Sequence, residues 1–292
     1  MLRKTLAEPG LVVLPWVYDC LSARCAEDVG FKALFMTGGG IRDTELGMPG
    51  NAPVTAPEVI NIIKNIVDSV NVPLIADADD GYGGALAAYR TTREIIRAGA
   101  AGLFIEDRLP SVTEPFVGVH GVISTAEYLG KMGAVVEARN ELDKDFVIVS
   151  RIEALKTLGI EEMLKRVKGC LELGVDIIYP LGIPSGENVK ETLKKHYKAI
   201  GAPTVPIWGT EPFEFTAKDF EEAGAKLCGV PASPIAGVAR LLSELYKSLY
   251  ETGTHDAYFA GKSAREYLRG FKRSNKWNEL AKKYVPPGSD QG

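Results

Sequence analysis

The chain has 292 residues, 46% hydrophobic and 25% charged, with a formal net charge of −4, the profile of a globular protein with a sizeable core. Dispersed Lys and Arg argue against nucleic acid as a partner, and no run reaches the roughly 18 consecutive apolar residues needed to span a bilayer. Met1-Leu2-Arg3-Lys4 leads into no secretory apolar stretch, and Cys20, Cys25, Cys170 and Cys228 form no CxxC pair, so the expectation is a cytoplasmic protein acting on a small molecule, with no membrane partner.

Short runs rich in Val, Ile, Leu and Phe recur at 11–17, 33–38, 73–78, 102–107, 146–154, 176–182, 203–208 and 225–231. Each is followed by an amphipathic helical stretch, which predicts a parallel sheet covered by helices. Eight such units are the number of a closed (β/α)8 TIM barrel, an α/β fold. Thr55-Ala-Pro-Glu58 is a capping sequence, and Gly30, Gly99, Gly174 and Gly224 each end a helix just before the next strand. No Ser/Gly/Pro-rich linker interrupts the pattern, so one barrel is expected over 1–254. A long helix is predicted over 235–253. The tail, 255–292, reads as helical, and Tyr258, Phe259, Tyr267, Phe271, Trp277 and Tyr284 predict that it packs on the barrel or on a neighbouring subunit. The glycine-rich stretches 37–40 and 80–84 lack GxGxxG and any GK[ST] ending, and predict close backbone approach to a ligand rather than nucleotide binding.

Active sites of such barrels lie at the C-terminal ends of the strands. The third run ends Ala76-Asp77-Ala78-Asp79-Asp80, and residues two apart on a strand share a face, so Asp77 and Asp79 are expected to project together. One strand over, Ile105-Glu106-Asp107 brings a third carboxylate. Three clustered anions call for a neutraliser. A hard divalent cation such as Mg2+ supplies it, and the other use of such acids is to pair with Arg or cap helices. No neighbouring run offers much Arg or Lys. The fifth run ends Ser150-Arg151-Ile152-Glu153, where Arg151 can grip a substrate carboxylate or phosphonate, or bridge the acids.

Assembled, these motifs resemble the isocitrate lyase/phosphoenolpyruvate mutase superfamily over nearly the whole barrel. The residues that carry the likeness are Tyr18-Asp-x-Leu-Ser-Ala-Arg24, Thr37-Gly-Gly39, Asp77-Ala-Asp-x-Gly-Tyr-Gly83, Ile105-Glu-Asp107 and Ser150-Arg-Ile-Glu153. The resemblance implies Mg2+, with Mn2+ as a substitute, held by Asp77, Asp79 and Glu106. It further implies that Tyr18, Thr37, Gly38, Gly39, Asp79, Arg151 and Tyr179 contact a small carboxylic acid whose enolate the metal stabilises. It also implies a homotetramer, a dimer of dimers, whose C-terminal helices exchange between subunits.

The chain departs from the family's lyases on the loop after the fourth strand. Their Lys-Lys/Arg-Cys-Gly-His box is replaced by Val112-Thr113-Glu114-Pro115-Phe116, so the acid/base thiol is missing and Glu114, His120 and Arg151 become the catalytic candidates. The acid of the Met/Leu-Pro turn is Gly50; the lyase Glu after the sixth strand falls at Leu181, and the Asn after the seventh near Ile207. Phe116, Leu181, Ile207 and Trp208 point to a less charged or bulkier substrate than isocitrate. Glu153 and Arg108 lean toward the mutase branch. The loop 108–121, with two Pro and two Gly, reads as a lid that excludes water during turnover. Three functions follow: a Mg2+-dependent lyase or decarboxylase cleaving a C–C bond of a 2-oxo or 2-hydroxy acid, a P–C bond enzyme, and a barrel that has lost catalysis and serves as a binding protein.

Overall fold

The structure is a computed structural model that describes residues 1–50, 52–109, 121–181, 189–206, 215–231, 233–259, 263 and 275–286. Its first compact unit, Met1–Ile235, is built of alternating strands and helices. The strands are β1 (Val12–Val17), β2 (Leu34–Met36), β3 (Leu74–Asp77), β4 (Gly102–Glu106), β5 (Val147–Ile152), β6 (Ile177–Pro180) and β7 (Leu227–Val230). They form one sheet in the order β6-β5-β4-β3-β2-β1-β7, and every pairing is parallel.

Seven of the eight expected runs are strands. The other, 203–208, is described only to residue 206, and there it forms a bridge of Thr204 with Ile178. Its backbone nevertheless bonds to both open edges. Pro203 O accepts from Ile178 N and Val205 N donates to Ile178 O, while Thr204 O accepts from Lys226 N and Pro206 O from Gly229 N, all at 2.9–3.1 Å. Two prolines in four residues remove donors that a full ladder requires, so the described part forms a bridge. The sheet thus curls into the expected barrel.

Helices alternate with the strands: α1 (Leu2–Ala7), α2 (Cys20–Val29), α3 (Gly38–Thr44), α4 (Ala56–Ser69), α5 (Ala85–Arg97), α6 (Thr125–Leu142), α7 (Ala154–Leu158), α8 (Ile160–Leu173), α9 (Val189–Ile200) and α10 (Ala217–Glu222). Their ends follow local chemistry. Asp19 caps α2 by accepting from Ser22 N at 2.6 Å, and Thr55 with Glu58 forms the expected capping box on α4. Gly30 and Gly174 end α2 and α8 in the left-handed conformation, which costs a glycine no Cβ clash.

Strand parity divides the core in two. Leu34, Met36, Leu74, Ala76, Leu103, Ile105 and Ile148 pack outward against helix residues such as Ile63 and Val135. Leu14, Phe35, Ile75, Phe104, Val147, Val149, Ile177 and Tyr179 fill the barrel interior, with Leu2 of α1 among them. Rings step across that interior from Trp16 to Phe35 (4.9 Å between centroids), Phe104 (4.5 Å) and Tyr179 (5.9 Å). Truncating a buried phenylalanine such as Phe35 to alanine costs about 3–5 kcal/mol.

The second compact unit, Ala236–Gly292, takes in most of α11 (Ser233–Thr252) together with α12 (Asp256–Phe259) and α13 (Asn275–Tyr284). Along α11, Leu241, Leu242, Tyr246, Leu249 and Tyr250 recur at helical spacing and are exposed. No described helix is long and apolar enough to cross a membrane.

Candidate active site

The parity that fills the barrel also builds the site. Two residues beyond interior Ile75 stands Asp77; two beyond Phe104 stands Glu106; two beyond Val149 stands Arg151; two beyond Ile177 stands Tyr179. Register sets them side by side, since Glu106 pairs with Arg151 across β4 and β5, and Arg151 with Tyr179 across β5 and β6. The Arg151 guanidinium lies over the Tyr179 ring, 5.6 Å from its centroid.

Asp79 reaches the cluster differently. The strand has ended by then, and Asp79 adopts a left-handed backbone with φ +44°. Asp79 N donates to Asp77 Oδ1 at 3.1 Å, and Gly38 N donates to Asp77 Oδ2 at 3.1 Å. A Cβ on Gly38 would lie 3.0 Å from Asp77 Oδ2, 3.1 Å from Asp79 Oδ1 and 2.9 Å from Arg42 Nη1. Only glycine fits where α3 meets the acids. Gly39 lies against Gly50, whose carbonyl oxygen would sit 3.4 Å from a Cβ there. Thr37 spends its hydroxyl on capping α3, accepting from Gly40 N at 3.2 Å, and Tyr18 is buried behind that turn.

The expected shortage of basic groups is not what the fold provides. Arg42, 4% exposed, donates through Nη2 to Asp79 Oδ2 at 2.6 Å and through Nε to Ala52 O at 2.6 Å. Glu106 sits between Arg108 Nε on Oε1 and Arg151 Nη1 on Oε2, each at 3.0 Å, and Arg151 also pairs with Glu153. Sequence reading missed Arg42. The available signal was its i+4 spacing from Gly38 on one short helix, which stacks the guanidinium over the glycine facing Asp77. Asp107, read as part of the acidic motif, turns away: it accepts from Glu153 N at 2.7 Å and pairs with buried Arg166 at 2.8 Å, locking the end of β5.

Of these five acids, Asp79, Glu106, Glu153 and Asp107 therefore have arginine partners. Among the described residues no basic side chain forms an ion pair with Asp77, and burial and the charge of Asp79 push its carboxyl above the usual range. Burial pushes Glu106 up to about 8 against the pull of Arg151 and Arg108. Among the described residues no three of His, Cys, Asp and Glu are grouped closely enough to hold a metal ion. A divalent cation nonetheless fits the chemistry. It would supply the ion partner that buried Asp77 lacks and would offset the charge of Asp79, which bears on both Asp77 and Glu106. Beside the acids opens a cleft of 400 Å³ lined by Arg42, Val54, Asp79, Tyr82, Glu106 and Arg108. The Tyr82 hydroxyl is buried beside Asp79, and Tyr82 itself has φ +59°. Among the described residues, buried Arg151 Nε has no hydrogen-bond partner.

Glu114 and His120 lie outside the described residues, as do Phe116, Ile207 and Trp208 and nearly all of the expected lid. Its two feet are pinned: Arg108 bridges Val122, and Leu109 N donates to Gly121 O at 2.9 Å.

Comparison with known proteins adds three likenesses and a family match. A family model described as phosphoenolpyruvate phosphomutase matches residues 2–248. The 2,3-dimethylmalate lyase of Eubacterium barkeri is 31% identical over 254 residues, 87% of this chain and 86% of the relative. The 2-methylisocitrate lyase of Aeropyrum pernix is 32% identical over 254 residues, 87% of this chain and 80% of the relative. A solved structure of oxaloacetate acetylhydrolase with the product oxalate superposes with a TM-score of 0.85 at 29% identity, covering 97% of this chain and 96% of that one.

Proposed function

The chain belongs to the isocitrate lyase/phosphoenolpyruvate mutase superfamily, and from that premise we propose that it is a Mg2+-dependent lyase or decarboxylase cleaving a C–C bond of a small 2-oxo or 2-hydroxy acid. The observation that carries this reading is Asp77, a buried carboxylate at the rim that makes no ion pair among the described residues and feels only the more distant charge of Arg151 against its burial. Asp77, Asp79 and Glu106 would hold the ion, directly or through water. When bound, Mg2+ supplies a Lewis acid beside the substrate oxygen on which negative charge develops. Mn2+ would serve in its place.

The chain's own groups do the rest. Arg151 still has an unpartnered Nε–H to offer a substrate carboxylate, and its stacking on Tyr179 fixes the fork. Thr37, Gly38 and Gly39, at the start of the short helix beside Asp77, are proposed to contact the acid end through their backbone. Glu114 and His120 are proposed as the groups that move the proton in place of the missing thiol. Incubating the protein with Mg2+ and a set of 2-oxo and 2-hydroxy diacids, oxaloacetate and 2,3-dimethylmalate included, tests the reading by product NMR. Mg2+-dependent release of a 2-oxo acid or oxalate supports it and rules out a barrel that only binds; no turnover of any of them contradicts it.

A second reading, P–C bond chemistry, draws on Arg108, whose guanidinium lines the cleft where a phosphonate group would need a partner. A changed phosphorus NMR signal from phosphonopyruvate supports it, and an unchanged one excludes it. The exposed apolar face of α11 supports assembly as a homotetramer, a dimer of dimers, and a monomeric mass by light scattering overturns that.

A further inference from the structure

Arg42 has no part in the reaction proposed above, yet it is the most deeply buried of the three arginines around the acids. Its fork spans both oxygens of Asp79, at 2.6 and 3.4 Å, and its Nε is fixed to the carbonyl of Ala52. With Arg108 and Arg151 engaged by Glu106 and Glu153, the four acids of the cluster face three guanidiniums, and the unmatched charge is on Asp77. Beside them Lys131 Nζ donates to Asp80 O at 2.6 Å, so Asp80 too has a cation close by.

A divalent ion entering this site meets one unmatched carboxylate, not two. Taking Arg42 away would leave Asp77 and Asp79 both unpaired and joined by a hydrogen bond through the Asp79 backbone, a pair of adjacent charges well suited to a hard cation. We propose that Arg42 is a built-in counter-ion that offsets the charge of Asp79 and weakens its hold on a cation, so that the cation enters together with the anionic substrate rather than before it. The second negative charge that the ion requires is then brought by the substrate. Cation and substrate affinities are therefore coupled, and by linkage each raises the other by the same factor. The inference rests on the metal-dependent reading of the site and adds to it the order in which the site fills.

Mn2+ titrations of the full-length protein followed by electron paramagnetic resonance, with and without oxalate, test this without any turnover. In wild-type protein oxalate tightens Mn2+ binding by about a hundredfold or more, while Arg42→Met tightens oxalate-free binding by about tenfold or more and shrinks the effect of oxalate correspondingly. Arg42→Gln, whose amide can still donate to the Ala52 carbonyl, gives the same gain and serves where the methionine variant fails to fold. Adding Asp79→Asn to either variant removes the gain. Arg42 variants that bind Mn2+ like wild type without oxalate, or a gain that survives Asp79→Asn, overturn the inference while leaving the proposed reaction standing. Absence of Mn2+ uptake by every protein even with oxalate would overturn both.

Discussion

Asp77 and Asp79 are two residues apart and chemically identical, yet the fold gives them different work. Asp77 is held by two backbone N–H groups and Asp79 by a buried guanidinium. Replacing Asp77 by Asn removes the charge and leaves an acceptor for only one of those two N–H donors, so kcat/KM should fall by about a hundredfold or more at a cost in stability of about 1–3 kcal/mol. A kinetic change below tenfold, or a collapse of the thermal midpoint, would contradict that assignment. The cysteines offer a second check at this scale. Burial pushes Cys170 up to about 11 and Cys228 up to about 12, so both remain protonated thiols at pH 8 and no thiolate forms to react. Titration of the native protein with a thiol reagent at pH 8 should leave these two unmodified until denaturant is added; rapid labelling of either would contradict the buried environment.

Most elements were legible because each rests on a local signal. The run 73–78 is apolar until Asp77, and parity from Ile75 is enough to turn that carboxylate inward; the same holds for Glu106 and Arg151. Asp79 was placed by the same rule, but β3 had already ended and a positive φ, not strand geometry, brings its carboxylate to the cluster. Arg42 was missed because its i+4 spacing from Gly38 is a weak signal, the same whether the arginine meets solvent or a buried acid; the approach of Asp79, 37 residues on, decides it. The closing segment was read at strand length, whereas its prolines reduce the described part to a bridge. Within that bridge Thr204 Oγ1 is buried without a hydrogen-bond partner among the described residues. Thr204→Val should therefore be neutral or stabilise by up to about 1 kcal/mol in denaturant unfolding, and a loss beyond that would show that the hydroxyl is bonded after all. Gly102 is the opposite case. A Cβ there would stand 2.7 Å from Val147 O in the neighbouring strand, so Gly102→Ala should destabilise by about 1–3 kcal/mol.

At the level of the whole molecule, closing the barrel is what makes the chemistry possible. Residues far apart in sequence, from Arg42 to Glu153, share one rim because each parallel strand ends there, and the interior rings beneath them form an apolar floor. The account stands or falls on a divalent cation being required at Asp77. Calorimetric titration of oxalate into the protein tests it most directly, in Mg2+ and again after chelation, for wild type and Asp77→Asn. Heat of binding should be seen for wild type in Mg2+ alone; oxalate binding of equal strength after chelation, or undiminished in Asp77→Asn, would contradict it.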